Sequence, residues 1–183
     1  MDKVQIREMI SEKKRNMAGE EICRLSEELT ETFCSLEEFR SADCLFAYCS
    51  FNQEVRTGTI IKTALEAGKR VAVPKVLGDR LEFRYIRSEQ DLELSPLGIP
   101  EPKDGLEIAD GREEIILMLT PGLAFDRRGA RIGYGKGLYD RYLSEHAGEQ
   151  ITMIALCYDF QLLDYIETEP FDKTVDRVLI PAG

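Results

Sequence analysis

Three alternating glycines, Gly133, Gly135 and Gly137, bracket Lys136 in the stretch RRGARIGYGKGLYDRYL, residues 127–143. Glycine tolerates positive φ, so such a backbone can turn successive N–H groups towards one anion. Lys136 at the apex supplies a point charge. Arg128 and Arg131 stand on the flank with guanidinium forks suited to phosphate oxygens. A helix opening near Leu138 adds the positive end of its dipole. Asp140, one turn into that helix, would crowd an anion unless a cation lay between them, so it points to Mg²⁺ arriving with the phosphate. The chemistry implied is that of a nucleotide site.

Neither standard phosphate motif accounts for the stretch. A P-loop requires glycine where Ala130 stands and Ser or Thr where Gly137 stands, and the dinucleotide fingerprint requires glycine in place of Leu138. The local composition is nevertheless unusual. Four of the chain's 14 glycines and five basic side chains fall within these seventeen residues, while the whole chain carries a formal charge of −10. That field repels phosphate at long range, which argues against nucleic acid or an anionic membrane as partner. A phosphate ligand must then be drawn in locally.

A strand, a loop and a helix are needed to hold such a site, and the pattern supplies them. Residues 2–17 read as a basic amphipathic helix with Val4, Ile6, Met9 and Ile10 on its apolar side, and 20–39 as a second, longer one. Short apolar runs predict strands at 43–50, 70–74, 81–86, 152–158 and 175–181, and another beginning at 115. Helices are predicted over 57–67 and 138–146, and the Pro- and Gly-rich segment 95–112 is predicted as a long loop. Strands alternating with helices, several of them continuously apolar, predict an α/β fold: three layers, α/β/α, around a mostly parallel central sheet. The glycine loop leaves the carboxyl end of a strand, where such folds place their ligands.

The chain reads as one domain, 1–183, with 43% apolar and 32% charged residues and no run long enough to span a bilayer. No signal peptide is visible after Met1. The five cysteines include no CxxC pair, so reduced thiols in a cytoplasmic protein are expected. A monomer is expected.

The segment TPGLAFDRRGARIGYGKGLYDRYL, 120–143, closely resembles the signature of the 5-formyltetrahydrofolate cyclo-ligases, or methenyltetrahydrofolate synthetases. KVQIR (3–7), YCSFNQEVRT (48–57), GKRVAVPKV (68–76) and LGIPEP (97–102) follow the family's order, so the resemblance runs nearly end to end. Leu138 departs from it, standing where the family usually has an aromatic residue, and the tail FDKTVDRVLIPAG ends in its own way.

The resemblance implies ATP-dependent cyclisation of 5-formyltetrahydrofolate to 5,10-methenyltetrahydrofolate, with release of ADP and phosphate. It implies ATP contacts from Lys3 and Arg7 and from Arg131, Gly133, Tyr134, Gly135, Lys136, Gly137, Leu138 and Tyr139. Lys136 and Arg131 would act on the transferring phosphoryl group. Cys49, Glu54 and Tyr134 would meet the folate, and Asp140 with Asp172 would hold Mg²⁺, Asp176 being the alternative second ligand. Phosphoryl transfer needs positioning and charge more than a protein nucleophile, so the lack of a Ser-His or Cys-His signature is no obstacle. Glu54 lies just past a strand end, where its carboxylate can accept paired bonds from the pterin N–H edge. Cys49 has no base partner in view and is expected to pack. His146, the only histidine, is expected to cap a helix. Two other readings remain open from sequence: a non-catalytic ATP-sensing module, and a sugar-phosphate or CoA-ester enzyme on a related fold.

Overall fold

The computed structural model describes residues 1–112 and 114–182; Glu113 and Gly183, the end of the tail, lie outside the described residues. The helices are α1 (Lys3–Arg15), α2 (Gly19–Cys34), α3 (Glu37–Ser41), α4 (Gly58–Glu66) and α5 (Leu138–Glu145). The strands are β1 (Cys44–Ala47), β2 (Arg70–Leu77), β3 (Arg80–Ile86), β4 (Leu92–Leu94), β5 (Pro100–Pro102) and β6 (Ile115–Leu119). They continue with β7 (Ala124–Asp126), β8 (Arg131–Ile132), β9 (Gln150–Leu156), β10 (Leu162–Leu163) and β11 (Arg177–Leu179).

Six strands form the central sheet in the order β11-β9-β6-β1-β2-β3. Every pairing is parallel except that of β2 with β3. Strand side chains alternate between faces, and β1 shows the consequence. Leu45 and Ala47 join a core with Leu29 and Phe33 of α2, Phe39 of α3 and Ile60 of α4. Cys44 and Phe46 join the opposite core with Tyr142 and Leu143 of α5. Helices therefore cover both faces, and the expected three-layer α/β arrangement is the one found.

The longer second helix expected over 20–39 is two helices. Ser35 caps α2, and the extended backbone of Leu36 (ψ 147°) starts α3 afresh. The expected loop 95–112 contains β5, paired antiparallel with β4. Within 115–125 the strand stops at Leu119, and a second begins at Ala124 beyond Pro121-Gly122. That second strand belongs to a separate small sheet, β10-β7-β8. α1 packs on it through Ile6 and Ile10, against Leu123, Ala130, Ile132 and Ile166. Complete burial of Ile10 stabilises this contact by roughly 1.5–3 kcal/mol. Val4 turns outward at 58% exposure, and the third buried position of the stripe is Lys14. A reciprocal cap starts α1: the Gln5 amide donates to Asp2 (2.8 Å) and the Asp2 amide to the Gln5 side chain (3.0 Å).

From β1 the chain steps to β2 on one side, while β6 lies on the other and leads on to β9. The loops after β1 and β6 thus diverge from adjacent strand ends, a topological switch point of the kind at which open α/β sheets bind ligands.

Candidate active site at the glycine loop

The glycine loop runs from β8 into α5 and forms one wall of a cleft of roughly 270 Å³. Gly135 (φ 106°) and Gly137 (φ 63°) take the left-handed conformations expected of them. Gly133 does not; its requirement is space, because a Cβ there would come within 3.0 Å of Arg131 Nη1. Gly137 is the N-cap residue of α5 and offers no side chain to the first turn. The amides there are thus open to an anion, with the helix dipole behind them.

Four cations line the cleft, two of them from α1. Arg7 of α1 lies against the loop, its Nε donating to the Gly133 carbonyl at 2.9 Å. Lys3, one turn earlier, donates to Asp172 at 2.9 Å and to Glu169 at 3.4 Å. Arg131, its side chain only 6% exposed, donates through Nη2 to Asp140 (3.1 Å) and through Nη1 to the Pro121 carbonyl (3.1 Å). Its Nε is buried without a hydrogen-bond partner, a costly state that an incoming acceptor would relieve. Lys136 is exposed at the cleft mouth and makes no ion pair or hydrogen bond among the described residues. Leu138 and Tyr139 complete this wall.

Arg128 does not share the site, which corrects the sequence-based expectation. It folds back on Asp126 (2.8 Å) and the Ile166 carbonyl (2.7 Å). Asp126 is fully buried and also accepts the amides of Arg128, Ala130 and Ile166. Burial alone would push its carboxyl up, but Arg128 and these amides outweigh it and hold it below the usual carboxylate range. A depressed pKa contributes stability above the unfolded value near 4 that is lost as pH falls through the folded one. Asp126→Asn, which sets an amide NH₂ against donors, is therefore expected to cost roughly 2–4 kcal/mol at neutral pH. Urea unfolding at pH 7 and at pH 3 would show that deficit shrinking in acid.

The tail supplies the opposite wall. Asp172 lines the cleft with Glu169 and Phe171, whereas Asp176 is elsewhere, accepting the Met153 amide at 2.7 Å to hold β9. Of the two tail aspartates, the cleft holds Asp172. Burial would raise its carboxyl, yet the Glu169 amide and Lys3 outweigh this and keep it low. Among the described residues no three His, Cys, Asp or Glu side chains gather into a metal site of their own. Asp140 and Asp172 both line the cleft with hard oxygens. That set fits an ion such as Mg²⁺, which arrives with phosphates, keeps waters and needs only one or two protein carboxylates. Glu169, Phe171 and the Lys173 amide, which donates to Asp140 at 3.0 Å, carried no sequence signal.

Glu54 is reached from the same loop. The segment between β1 and α4 is tied down by the Thr57 hydroxyl donating to the Tyr48 carbonyl (2.6 Å) and by the Tyr158 hydroxyl donating to the Gln53 carbonyl (2.8 Å). Glu54, 8% exposed, accepts the Phe51 amide at 3.0 Å and the Tyr134 hydroxyl at 2.8 Å. Tyr134 stands between Gly133 and Gly135, so one residue touches both the cleft and the carboxylate. Burial pushes Glu54 up, opposed by Tyr134, the Phe51 amide, Lys14 and Arg56.

Cys49 lies beside Glu54 but lines a neighbouring cavity of roughly 570 Å³ with Ile61, Leu65, Ile86 and Pro100. Burial, and next the Glu54 charge, push its thiol up to about 12, so it stays protonated and packs. His146 caps α5, stacked on Tyr142 with ring centroids 3.9 Å apart.

The model of the 5-formyltetrahydrofolate cyclo-ligase family matches residues 1–181. This chain belongs to that family. Cyclo-ligase relatives include the 5-formyltetrahydrofolate cyclo-ligase of Mus musculus, 29% identical over 95% of this chain and 91% of its own. A probable cyclo-ligase of Caenorhabditis elegans is 31% identical over 97% and 91%. The NMR structure of 5,10-methenyltetrahydrofolate synthetase from Aquifex aeolicus superposes with a TM-score of 0.86 at 30% identity, covering all of this chain and 91% of that one. Membership of a ligase family displaces the readings as an ATP sensor or a sugar-phosphate enzyme. No helix among the described residues is long and apolar enough to cross a membrane.

Proposed function

We propose that the chain converts 5-formyltetrahydrofolate and ATP to 5,10-methenyltetrahydrofolate, ADP and phosphate. The observation that carries this reading is the Tyr134–Glu54 bond, which joins a phosphate-binding loop to a buried carboxylate suited to a pterin. ATP would lie along the cleft, its phosphates on the loop amides and the first turn of α5, with Lys3 and Arg7 over it. The pterin N–H edge would donate to Glu54, displacing or sharing the Tyr134 hydroxyl. The p-aminobenzoyl side would run past Cys49 towards the neighbouring apolar cavity.

A formyl oxygen is a poor leaving group until it carries phosphate. In this reading the oxygen attacks the γ-phosphorus and ADP departs. N10 then attacks the formyl carbon and sheds its proton, and phosphate leaves with the former formyl oxygen. Lys136 and Arg131 stabilise the charge that spreads over the transferring group. Mg²⁺, when bound with ATP, supplies further charge neutralisation, and Asp140 and Asp172 are the residues that would hold it.

A monomer acting as one domain is part of this reading. The five unpaired cysteines suit the cytoplasm. Incubation of pure protein with 5-formyltetrahydrofolate and MgATP tests the reading: near-ultraviolet absorbance of the methenyl product should rise with one ADP per turnover. Absorbance that rises equally without ATP would overturn it.

Glu54→Gln is expected to raise the folate KM by about 10- to 100-fold, the scale of a hydrogen bond to a charged group. ATP binding should be unchanged. Steady-state kinetics with each substrate varied in turn checks both halves of that expectation.

A further inference from the structure

The apolar stripe of α1 ends in a lysine. Ile6, Ile10 and Lys14 follow one another four residues apart, and Lys14 is 7% exposed. Its ammonium makes no hydrogen bond or ion pair among the described residues, while most of the side chain is buried. Lys14 shares a space of roughly 10 Å³ with Tyr48, Glu54, Tyr134 and Gln161, room for about one water molecule. It also faces an adjoining cavity of roughly 390 Å³ that Glu54 and Tyr134 line as well. Among the residues lining these two spaces, Glu54 is the only acid.

We infer that Lys14 is a positioning residue for folate recognition: its charge, facing the same small space as Glu54, keeps that carboxylate ionised and able to accept both pterin N–H bonds. The inference rests on the folate role proposed for Glu54. A pterin edge offers donors, so a protonated Glu54 would set one O–H donor against them and lose a bond. Burial drives Glu54 towards that neutral form, and drives Lys14 likewise towards neutrality, each charge opposing the loss of the other.

The other groups around Glu54 cannot substitute. Tyr134 and the Phe51 amide are neutral donors. Tyr48, Tyr139 and Tyr158 are held protonated by burial, as is Cys49. Arg56, partly exposed and bonded to the Asn52 carbonyl, acts through solvent that screens it. Arg15 lines the larger cavity but is exposed to solvent that screens it, so Lys14 is the cation that shares the smaller space with the carboxylate.

The test is the pH dependence of kcat/KM for 5-formyltetrahydrofolate in the wild type, Lys14→Met, Lys14→Gln and Lys14→Arg, with melting curves to confirm folding. Removing an opposite charge at this range should move the acid limb up by about one pH unit in the Met and Gln variants. The folate KM should then be about tenfold higher on that limb and converge with the wild type at alkaline pH, where Glu54 is ionised regardless. The Arg variant should keep the wild-type profile, and the KM for ATP should not change. In a Glu54→Gln background, Lys14→Met should add nothing. A uniform loss at every pH, or an unmoved limb, overturns the role of Lys14 while leaving Glu54 in place. A Glu54→Gln enzyme with wild-type folate kinetics overturns the Glu54 reading and this inference with it.

Discussion

Lys136→Ala is expected to lose on the order of 10²-fold or more in kcat, the usual consequence of removing one electrostatic contact to a transferring group. Its melting temperature should stay at the wild-type value, because Lys136 is exposed and makes no ion pair or hydrogen bond among the described residues. Gly135 and Gly137 flank it with positive φ, so the chain around it bends while its side chain stays mobile enough to follow the phosphoryl group. A charge that serves the transition state more than the ground state shows in kcat beyond any change in KM. If turnover were normal with only a weaker KM for ATP, the lysine would serve attraction alone. The transition-state role would then pass to Arg131, since Arg128 is committed to Asp126.

Arg131→Lys is expected to be nearly as damaging, at about 10- to 100-fold in kcat/KM for ATP, although the formal charge is kept. One guanidinium holds Asp140 and the Pro121 carbonyl at once and still has Nε without a partner. A lysine ammonium cannot reproduce that fork. Arg131→Ala should lose more and should also lower the melting temperature, because Asp140 would keep only the Lys173 amide beside a missing cation. Comparing the two variants by kinetics and by melting separates the catalytic loss from the structural one.

Local features were readable from the sequence and long-range ones were not. The glycine loop and the opening of α5 at Leu138 follow from residue types within one short segment. The expected departure of the loop from the strand beginning at 115 does not hold, because the short β7–β8 hairpin stands between that strand and the loop. Arg128 and Arg131 look equivalent in sequence, and only the fold turns one towards buried Asp126 and the other into the cleft. Asp172 and Asp176 differ in the same way: the backbone of β9 needs a carboxylate at one, and Lys3 waits at the other. Helical periodicity placed α1 correctly, yet it counts apolar residues and so passed over Lys14, which shares a small space with Glu54 forty residues away. The split of α2 from α3 turns on the backbone of Leu36, for which leucine carries no signal.

The central claim is that the formyl oxygen takes the γ-phosphoryl group at a site where the glycine loop and Glu54 meet. It is tested most directly with 5-formyltetrahydrofolate labelled with ¹⁸O in the formyl group, turned over with MgATP in unlabelled water. One labelled oxygen is expected in each inorganic phosphate released, in step with methenyl formation. Label appearing in water, with unlabelled phosphate, would mean that the oxygen leaves without ever being phosphorylated, and would contradict it.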